Sequence, residues 1–419
     1  MESNRDRENR KRALRERMID TETQMFEEED ELEEIEAEAK RERGRHRRFK
    51  LLVTGLLVLA AAAGLLGYHY YQLNHCYQKT SVKWSRDLES GSFAGYESFG
   101  ENVLKYSRDG AVYLNKKGEA VWNQAYEMTA PFASVSGNYA VVADKKGYSI
   151  YICNQDGCQG VVTTTLPISR AAVSSTGVTV AILEDTKSNV IAFYDKTGTK
   201  LEIEIQTTLS GNGYPMDLAI SPNGMLLMVS YVYLDAGSMQ NQVVFYNFDE
   251  EGQSIRDRLV GGFKEYGSSM VARVRFLDDT HAAAFAQDRL CFYSLENTVK
   301  PVQTAQVDID ADTEIRSIFY SDQNAGIVTK DSEGTRTMQV FDKNGKKVCR
   351  ADIDMEYDTV EISRNRVLFY RDSECRIYNL SGKLKYRGTM EGGIEKLICL
   401  GENRYIQIGP QAMMELELK

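Results

Sequence analysis

The chain has 419 residues, of which 42% are hydrophobic and 27% are charged, and its formal net charge at pH 7 is −10. These values exclude a wholly disordered or fibrous chain, and the length allows two or three ordinary domains or one large repeat domain. The residues from 51 onward include 37 basic and 45 acidic side chains. That balance disfavours binding to anionic polymers.

The first 50 residues are a charged segment with 14 Lys or Arg and 16 Asp or Glu, arranged in blocks. Strong helix formers without proline favour a solvated helix or a disordered tail, and an incomplete seven-residue apolar period leaves a short dimeric coiled coil open. Nucleic acid is not expected as a partner, because the acidic block would compete for the same basic residues. We predict a charged tail over residues 1–48.

An uncharged run, LLVTGLLVLAAAAGLLGY, follows at residues 51–68. Eighteen apolar residues in a helix span roughly the 30 Å hydrocarbon core of a bilayer. Tyr68, Tyr70 and Tyr71 suit the aromatic belt at a membrane interface. A cleaved signal peptide does not fit, because fifty residues precede the run. The pattern predicts one transmembrane signal-anchor helix over residues 49–71.

The charges that flank this run predict its orientation. The fifteen residues after it contain only Lys79 and Lys83 as basic side chains, whereas a basic block precedes it. This block consists of Lys40, Arg41, Arg43, Arg45, Arg47, Arg48 and Lys50. Because positive residues stay on the cytoplasmic side, the tail is expected inside the cell and the rest of the chain outside. The block should lie against anionic headgroups, and a weak homodimer through the tail or the helix stays open.

A turn phrase recurs beyond the apolar run, for example as FYDKTGTKLEI at 193–203 and VFDKNGKKV at 340–348. Its turn glycines are Gly118, Gly157, Gly198, Gly252, Gly345 and Gly382. Their separations are 39, 41, 54, 93 and 37 residues, where the longest spans two units. A strand–turn–strand pattern precedes each phrase, as in MDLAISPNGMLLMVSYVY at 216–233. Four short strands repeated about every 44 residues are typical of propeller blades.

Both ends of the repeat region predict how the ring closes. Residues 396–419 supply three strands of a last unit, and SVKWSRDL at 81–88 supplies a spare outer strand. Pairing the two would complete an eighth blade and remove the open sheet edges. We therefore predict an all-β propeller over residues 81–419, after a short linker at 72–80. Eight blades is the predicted count, and seven is the alternative if the long YLDAGSMQNQ turn is interpreted differently.

Two segments carry a resemblance to known propellers. GAVYLNKKGEAVW at 110–122 resembles the repeat of quinoprotein-like propellers, and AISPNGMLL at 219–227 resembles the strand–turn–strand of WD-type and TolB-type propellers. The layout is similar to that of membrane-anchored propellers of unknown function from Gram-positive bacteria. Only Trp84 and Trp122 match the docking tryptophan of the quinoprotein repeat, and no quinone or calcium ligand set is recognisable. The resemblance therefore implies the fold, and no cofactor is expected.

The sequence offers few groups for catalysis. His281 is the only histidine in the propeller, and its place at a strand entrance favours a structural or surface role. No zinc ligand set, phosphate-binding loop or Gly-x-Ser-x-Gly elbow is present in the sequence. We predict no catalytic residue and no metal site.

Acidic residues recur in the turn between the second and third strands of seven units. They are Asp109, Asp144, Asp185, Asp235, Asp288, Asp331 and Asp372. Aspartate is a favoured turn residue because its side chain caps its own backbone, and this is the preferred explanation. The alternative is an acidic face that docks a basic partner or acts on glycans.

Seven cysteines are present, and two of them flank a predicted hairpin turn. Cys153 and Cys158 would face each other across the turn NQDG, within reach of a disulfide outside the cell. Cys76 is close enough to the apolar run to cross-link a dimer. The other four are expected to be buried free thiols.

Three functions fit these patterns. The favoured one is a non-catalytic, extracytoplasmic interaction scaffold of the cell envelope that binds another envelope protein. The alternatives are a glycan-directed envelope enzyme that uses carboxylates on one propeller face, and a transmembrane sensor that couples ligand binding outside to the tail. The absence of nucleophile–base pairs favours the scaffold.

Overall fold

The computed structural model describes residues 8, 10–15, 18, 50–68, 70–71, 74–88 and 95–419. Two compact units make up the chain, Met1–His75 and Cys76–Lys419. In the first unit, Lys50–Tyr68 forms a 19-residue helix whose side chains are all exposed. This helix is long and apolar enough to cross a membrane. The basic block lies outside the described residues except for Lys50, as does most of the tail.

The second unit is built almost entirely of strands, with a one-turn helix at Glu250–Gln253 and a 3-10 turn at Arg256–Arg258. The strands are β1 (Thr80–Asp87), β2 (Gly95–Phe99), β3 (Asn102–Tyr106), β4 (Gly110–Leu114), β5 (Ala120–Ala125), β6 (Pro131–Ser136), β7 (Tyr139–Asp144), β8 (Ser149–Asn154), β9 (Gly157–Thr163), β10 (Ile168–Val173), β11 (Thr179–Glu184), β12 (Asn189–Tyr194), β13 (Lys200–Thr207), β14 (Tyr214–Ile220), β15 (Leu226–Asp235), β16 (Ser238–Asn247), β17 (Leu259–Gly267), β18 (Val271–Phe276), β19 (His281–Ala286), β20 (Arg289–Ser294), β21 (Val302–Asp308), β22 (Glu314–Tyr320), β23 (Asn324–Lys330), β24 (Arg336–Asp342), β25 (Lys347–Ile353), β26 (Thr359–Ser363), β27 (Arg366–Arg371), β28 (Glu374–Asn379), β29 (Leu384–Thr389), β30 (Lys396–Cys399), β31 (Arg404–Ile408) and β32 (Ala412–Leu418).

These strands form eight antiparallel sheets of four, which confirms the predicted count of eight blades. Blades 1 to 7 each use four consecutive strands, from β2–β5 to β26–β29, and blade 8 has the order β1-β32-β31-β30. The inner strand is the first strand in blades 1 to 7 and β30 in blade 8, and contacts join inner strands of neighbouring blades, including β30 with β2. The blades therefore close into a ring.

Burial follows the position of each strand in its blade. In blade 5, every residue of the second strand, β19 (HAAAFA), is buried, whereas the outermost strand, β21 (VQTAQVD), leaves most of its residues exposed. Because middle strands pack between two neighbouring blades, their sequences are continuous apolar runs. Outer strands have water on part of their surface and therefore include exposed polar residues. This difference in burial between middle and outer strands is the reason why an apolar strand followed by a more polar one recurs in the sequence.

The recurrent turn phrase links the third and fourth strands of a blade. Asp195 accepts hydrogen bonds through Oδ1 from the backbone amides of Thr197 at 2.8 Å and Thr199 at 3.0 Å. Gly198 closes this turn at a φ of 84°, a conformation that glycine adopts without steric cost. Asp342 and Gly345 repeat the arrangement in blade 6. An Asp or Asn three residues before a Gly therefore encodes this turn locally in blades 1, 3, 6 and 7.

The eighth blade joins the two ends of the propeller chain. Strand β1 pairs with β32 from Thr80↔Leu418 to Asp87↔Ala412, and Trp84 donates an indole hydrogen bond to Glu415 at 2.9 Å. Before β1, Tyr77 forms a parallel bridge with Tyr386 in the outer strand of blade 7. The segment that leads into the ring is thus bound to two adjacent blades.

Blade 4 departs from its neighbours by a longer central hairpin. Its strands β15 and β16 have 10 residues each, and they pair without interruption from Leu226↔Asn247 to Asp235↔Ser238. Ala236 and Gly237 form the turn with φ values of 47° and 83°, which suit a two-residue hairpin. The segment YLDAGSMQNQ, expected to be a long turn, is therefore mostly paired strand.

Candidate functional site at the inner edge of the ring

Most inner strands carry small or apolar side chains, but several also place charged groups at the inner edge of the ring. These groups form two clusters. The acidic cluster consists of Glu97 (β2), Glu361 (β26), Lys396 (β30) and Tyr370 (β27). The arginine cluster consists of Arg170 (β10), Asp217 (β14), Arg273 and Arg275 (β18), and Tyr320 (β22).

In the acidic cluster, one lysine is shared by two carboxylates. Lys396 Nζ lies 2.5 Å from Glu361 Oε2 and 3.7 Å from Glu97 Oε2. The Tyr370 hydroxyl donates a hydrogen bond to the other oxygen of Glu361 at 2.9 Å. The cluster joins blades 1, 7 and 8, which are the blades at the seam of the ring.

Burial and charge shift the pKa values of these groups. Partial burial raises the pKa of Glu97, and the neighbouring Glu361 adds to the rise while Lys396 opposes it. Burial lowers the pKa of Lys396, but the two carboxylates outweigh it and the net shift is upward. Lys396 is therefore held as a cation between the two glutamates.

Among the described residues, Asp217 is the only carboxylate that forms an ion pair with an arginine of the arginine cluster. Its side chain is 3% exposed, and Oδ2 accepts a hydrogen bond from the Val274 amide at 3.0 Å. Its Oδ1 lies 3.3 Å from Arg273 Nη1 and 3.5 Å from Arg170 Nε. Burial raises the pKa of Asp217, although Arg273 and the Val274 amide pull it in the opposite direction.

Arg275 completes this cluster through an aromatic partner. Its Nη2 donates to the Tyr320 hydroxyl at 2.6 Å, and its guanidinium carbon lies 4.5 Å from the centre of the Tyr320 ring. Burial lowers the pKa of Arg275, but Tyr320, Asp217 and Glu97 outweigh burial and the net shift is upward. Two guanidinium groups thus pair with Asp217 and the third, Arg275, interacts with it electrostatically, so the four charged groups of the cluster sum to about +2 when all are ionised.

The two clusters were missed by the sequence analysis. They join residues of several blades, and the chain order gives no hint of their proximity. Single strands do carry a sequence signal, which is a charged residue in an inner strand that otherwise consists of apolar or small residues. Arg273 and Arg275 are such residues in VARVRF, and Glu361 is one in TVEIS. No group of three or more metal-ligating residues occurs in the described part of the chain.

The structure places all seven predicted aspartates at the turns between second and third strands. Asp144 is buried and accepts from the amides of Thr129 and Ala130, and Asp331 accepts from two amides of its own turn. Asp288 pairs with Arg289 and also accepts from Ser269. Asp331 therefore caps its own turn, whereas Asp144 and Asp288 bond to other groups of their own blades.

The remaining four aspartates, Asp109, Asp185, Asp235 and Asp372, are exposed. Asp185 caps the amide of Thr186 at 2.7 Å, and Asp372 adopts a φ of 52° in its turn. An acidic docking face at this edge of the ring stays a prediction.

The predicted cysteine pair lies in the outer hairpin of blade 2. Cys153 and Cys158 are directly paired across β8 and β9, and both are free thiols in this structure. The hydrogen bond between them raises the pKa of Cys153, which burial raises further, and lowers that of Cys158 to about 7. Paired antiparallel positions are within disulfide reach, and the disulfide stays a prediction.

His281 is buried at the start of β19 and is bound to an aspartate. Its Nδ1 lies 3.0 Å from Asp278 Oδ1, and Lys343 of the next blade lies 2.7 Å from the other oxygen. These contacts, with burial opposing them, hold the pKa of Asp278 at about 2. The network fastens blade 5 to blade 6, a structural role for this histidine.

Comparison with known proteins relates the chain to one family and to several propeller structures. No curated protein matches the sequence. Chaetomium thermophilum Sqt1, solved with the N-terminus of ribosomal protein L10, aligns over 82% of this chain and 99% of its own at 15% identity, with a TM-score of 0.49. Kluyveromyces lactis Hsv2 aligns over 69% and 93% at 14% identity, with a TM-score of 0.47. The model of a family of unknown function, DUF5711, matches residues 73–418, and the chain belongs to that family.

Proposed function

We propose that this chain is a membrane-anchored interaction scaffold of the cell envelope. In this proposal the helix Lys50–Tyr68 crosses the membrane once, the tail is cytoplasmic, and the propeller lies outside and binds a protein without catalysing a reaction. The excess of basic residues before the helix supports the orientation. The closed ring supports the scaffold role, because it offers rigid turns at both edges.

The observation that carries the proposal is an apolar tip on the long hairpin of blade 4. Leu234 and Met239 are paired across the hairpin and are 45% and 61% exposed. Leu209, 43% exposed, lies in the adjoining loop, and the Leu234 amide donates to its carbonyl at 3.5 Å. Single exposed apolar residues are common, but three on touching loops form a patch that a partner could cover.

The chemistry beside this tip indicates the kind of partner. Asp235 directly follows Leu234 and is exposed, and the other turn aspartates lie at the same edge of the ring. A protein with an apolar surface bordered by basic side chains would match the tip in both respects. The acidic docking face predicted from the sequence becomes part of this proposal.

Site-specific photo-cross-linking of the full-length chain in its native membrane tests the proposal. A cross-linker at Met239 should capture one protein, whereas the control position Val348, an exposed residue of the outer strand β25, should not. The purified captured protein should then bind the Leu234→Asp/Met239→Asp variant about a hundredfold more weakly. Equal capture at both positions, or unchanged affinity of the variant, would contradict the proposal.

Orientation is tested separately by labelling intact cells with a membrane-impermeant maleimide. A cysteine introduced at Met239 should react, and one introduced at Gln24 should react only after the membrane is opened. The background is a variant in which the native cysteines are replaced by serine. Labelling of the position 24 cysteine in intact cells would reverse the proposed topology.

A further inference from the structure

We propose that the arginine cluster at the inner edge of blades 3, 4 and 5 is a carboxylate-binding site. Arg170, Arg273 and Arg275 contribute three permanent cations, and Asp217 contributes one carboxylate. An additional anion would bring the cluster closer to neutrality. This inference is independent of the scaffold proposal.

Asp217 also satisfies these arginines poorly. Its Oδ2 is taken by the Val274 amide, and its Oδ1 serves both Arg273 and Arg170, at 3.3 and 3.5 Å. Charge-assisted N–H···O bonds normally measure about 2.7–2.9 Å. The two ion pairs of Asp217 are therefore longer than the hydrogen bonds of a fully formed arginine–carboxylate pair.

Two buried guanidinium donors have no hydrogen-bond partner. Each guanidinium carries five N–H groups. Among the described residues, the buried Nε of Arg275 has no hydrogen-bond partner, and that of Arg170 lies 3.5 Å from Asp217 Oδ1 without forming a hydrogen bond. Buried donors are satisfied in nearly all native structures, so these two Nε atoms, on inner strands of blades 3 and 5, indicate a missing acceptor.

A ligand can reach the cluster from solvent. The side chains of Arg170 and Arg273 are each 35% exposed although both lie on inner strands. These two arginines flank Asp217 from blades 3 and 5. An incoming oxyanion could thus contact both without disturbing the middle strands of any blade.

The donor set favours a carboxylate over a phosphate. Planar guanidinium forks match the two oxygens of a carboxylate, and phosphate sites commonly add several backbone amides. The Val274 amide in this cluster is already bound to Asp217. A small organic acid and an acidic peptide both present this group to the arginines, and the experiment below distinguishes the two sources.

Titration calorimetry on the full-length chain in detergent tests the site. The probes are sodium succinate, a short peptide with two glutamates, the same peptide with glutamines, and inorganic phosphate. We expect binding of succinate or of the glutamate peptide, and the better of the two identifies the source of the carboxylate. Binding of neither, or tighter binding of phosphate or of the glutamine peptide, would overturn the assignment.

Variants locate the binding. Arg273→Gln and Arg170→Gln should each weaken it about tenfold or more, and Arg273→Lys should also weaken it because lysine lacks the fork. Arg316→Gln is the matched control, since Arg316 lies on the inner strand β22, is 53% exposed and pairs with Glu314. An equal loss in the control would place the binding elsewhere.

A variant that is expected to bind the carboxylate more tightly distinguishes loss of the site from misfolding, because a misfolded chain would bind less. Asp217→Asn removes the carboxylate that competes for the same guanidinium groups, so it should tighten binding. Far-ultraviolet circular dichroism verifies that each variant keeps its sheets. Weaker binding by a folded Asp217→Asn variant would contradict the proposed site.

Discussion

The acidic cluster and the arginine cluster lie on inner strands of the same ring, but they differ in how their charges are matched. In the acidic cluster, Lys396 lies between Glu97 and Glu361, and Glu361 also accepts from Tyr370. In the arginine cluster, Asp217 pairs with Arg170 and Arg273 but not with Arg275, and two buried donors have no hydrogen-bond partner. The first cluster is complete within the chain, whereas the second leaves donors for a ligand.

The comparison shows that buried charge alone does not indicate a binding site. The acidic cluster joins blades 1, 7 and 8, where the two ends of the propeller chain meet, and its groups serve to hold that seam. Unequal charge and unfilled donors are the features that distinguish the arginine cluster. Perturbed pKa values occur in both clusters and so do not separate structure from function here.

The largest effect is expected from Lys396→Met, which removes the cation from the acidic cluster. Lys396 and Glu361 are 13% and 19% exposed, so the variant leaves two carboxylates close together without a counter-charge. We expect the free energy of unfolding at pH 7 to fall by about 3 kcal/mol. Urea unfolding of the full-length chain measures the change.

Lys200→Met is the matched control for that experiment. Lys200 pairs with Glu204 at 2.8 Å, but its side chain is 54% exposed. Exposed pairs contribute about 0.2–1 kcal/mol, so the control should lose less than the variant at the seam. Equal losses would mean that the acidic cluster does not stabilise the ring.

Asp217→Asn should have a smaller effect on stability, about 2 kcal/mol. It removes the carboxylate that pairs with Arg170 and Arg273, but both arginines are 35% exposed and are partly screened by water. Added sodium chloride should reduce the loss, because ions screen repulsion between the guanidinium groups. Urea unfolding at two salt concentrations measures this, and a loss that grows with salt would contradict the electrostatic explanation.

A pair of hydroxyl deletions compares the clusters more finely. Tyr370→Phe removes the donor to the Glu361 carboxylate and should cost about 1.5 kcal/mol, the low end for hydrogen bonds to charged groups. Tyr320→Phe should cost less, because Arg275 remains over the aromatic ring. Thermal unfolding of both variants gives the order, and a larger loss for Tyr320→Phe would show that its hydroxyl is the main partner of Arg275.

The blades could be predicted from the sequence because their determinants are local. The turn phrase places an Asp or Asn three residues before a Gly, and the hydrogen bonds of Asp195 to Thr197 and Thr199 show why that spacing repeats. Trp84 in a spare strand next to the apolar run also indicated the eighth blade, and it pairs with Glu415 as the closure requires. The turn depends on a few neighbouring residues, and the spare strand was recognisable from its own sequence although its partner strand lies at the other end of the propeller sequence.

The two clusters could not be predicted, because their geometry depends on the closed ring. Glu97 and Lys396 lie near opposite ends of the propeller sequence and become neighbours only when blade 8 meets blade 1. The repeated aspartates were visible in the sequence, but the structure shows that Asp144 and Asp331 mainly bond to nearby backbone amides. A pattern that repeats in every blade reports the fold, and a departure from the pattern in a few blades is the better guide to a site.

The smallest effect is expected from Glu97→Gln, and it appears as a change in pH dependence. Because the pKa of Glu97 is raised in the folded state, the folded chain binds more protons than the unfolded chain between the usual glutamate pKa, about 4.3, and the raised value. The contribution of Glu97 to stability is therefore full below pH 4.3 and is lost as the pH rises through that window.

Glutamine does not titrate, so the variant should gain stability relative to the natural chain as the pH rises. With 40% of the Glu97 side chain exposed, the gain should be small, and urea midpoints at pH 4 and pH 7 measure it. A variant that instead loses stability as the pH rises would show that the ion pair with Lys396 outweighs the burial of Glu97.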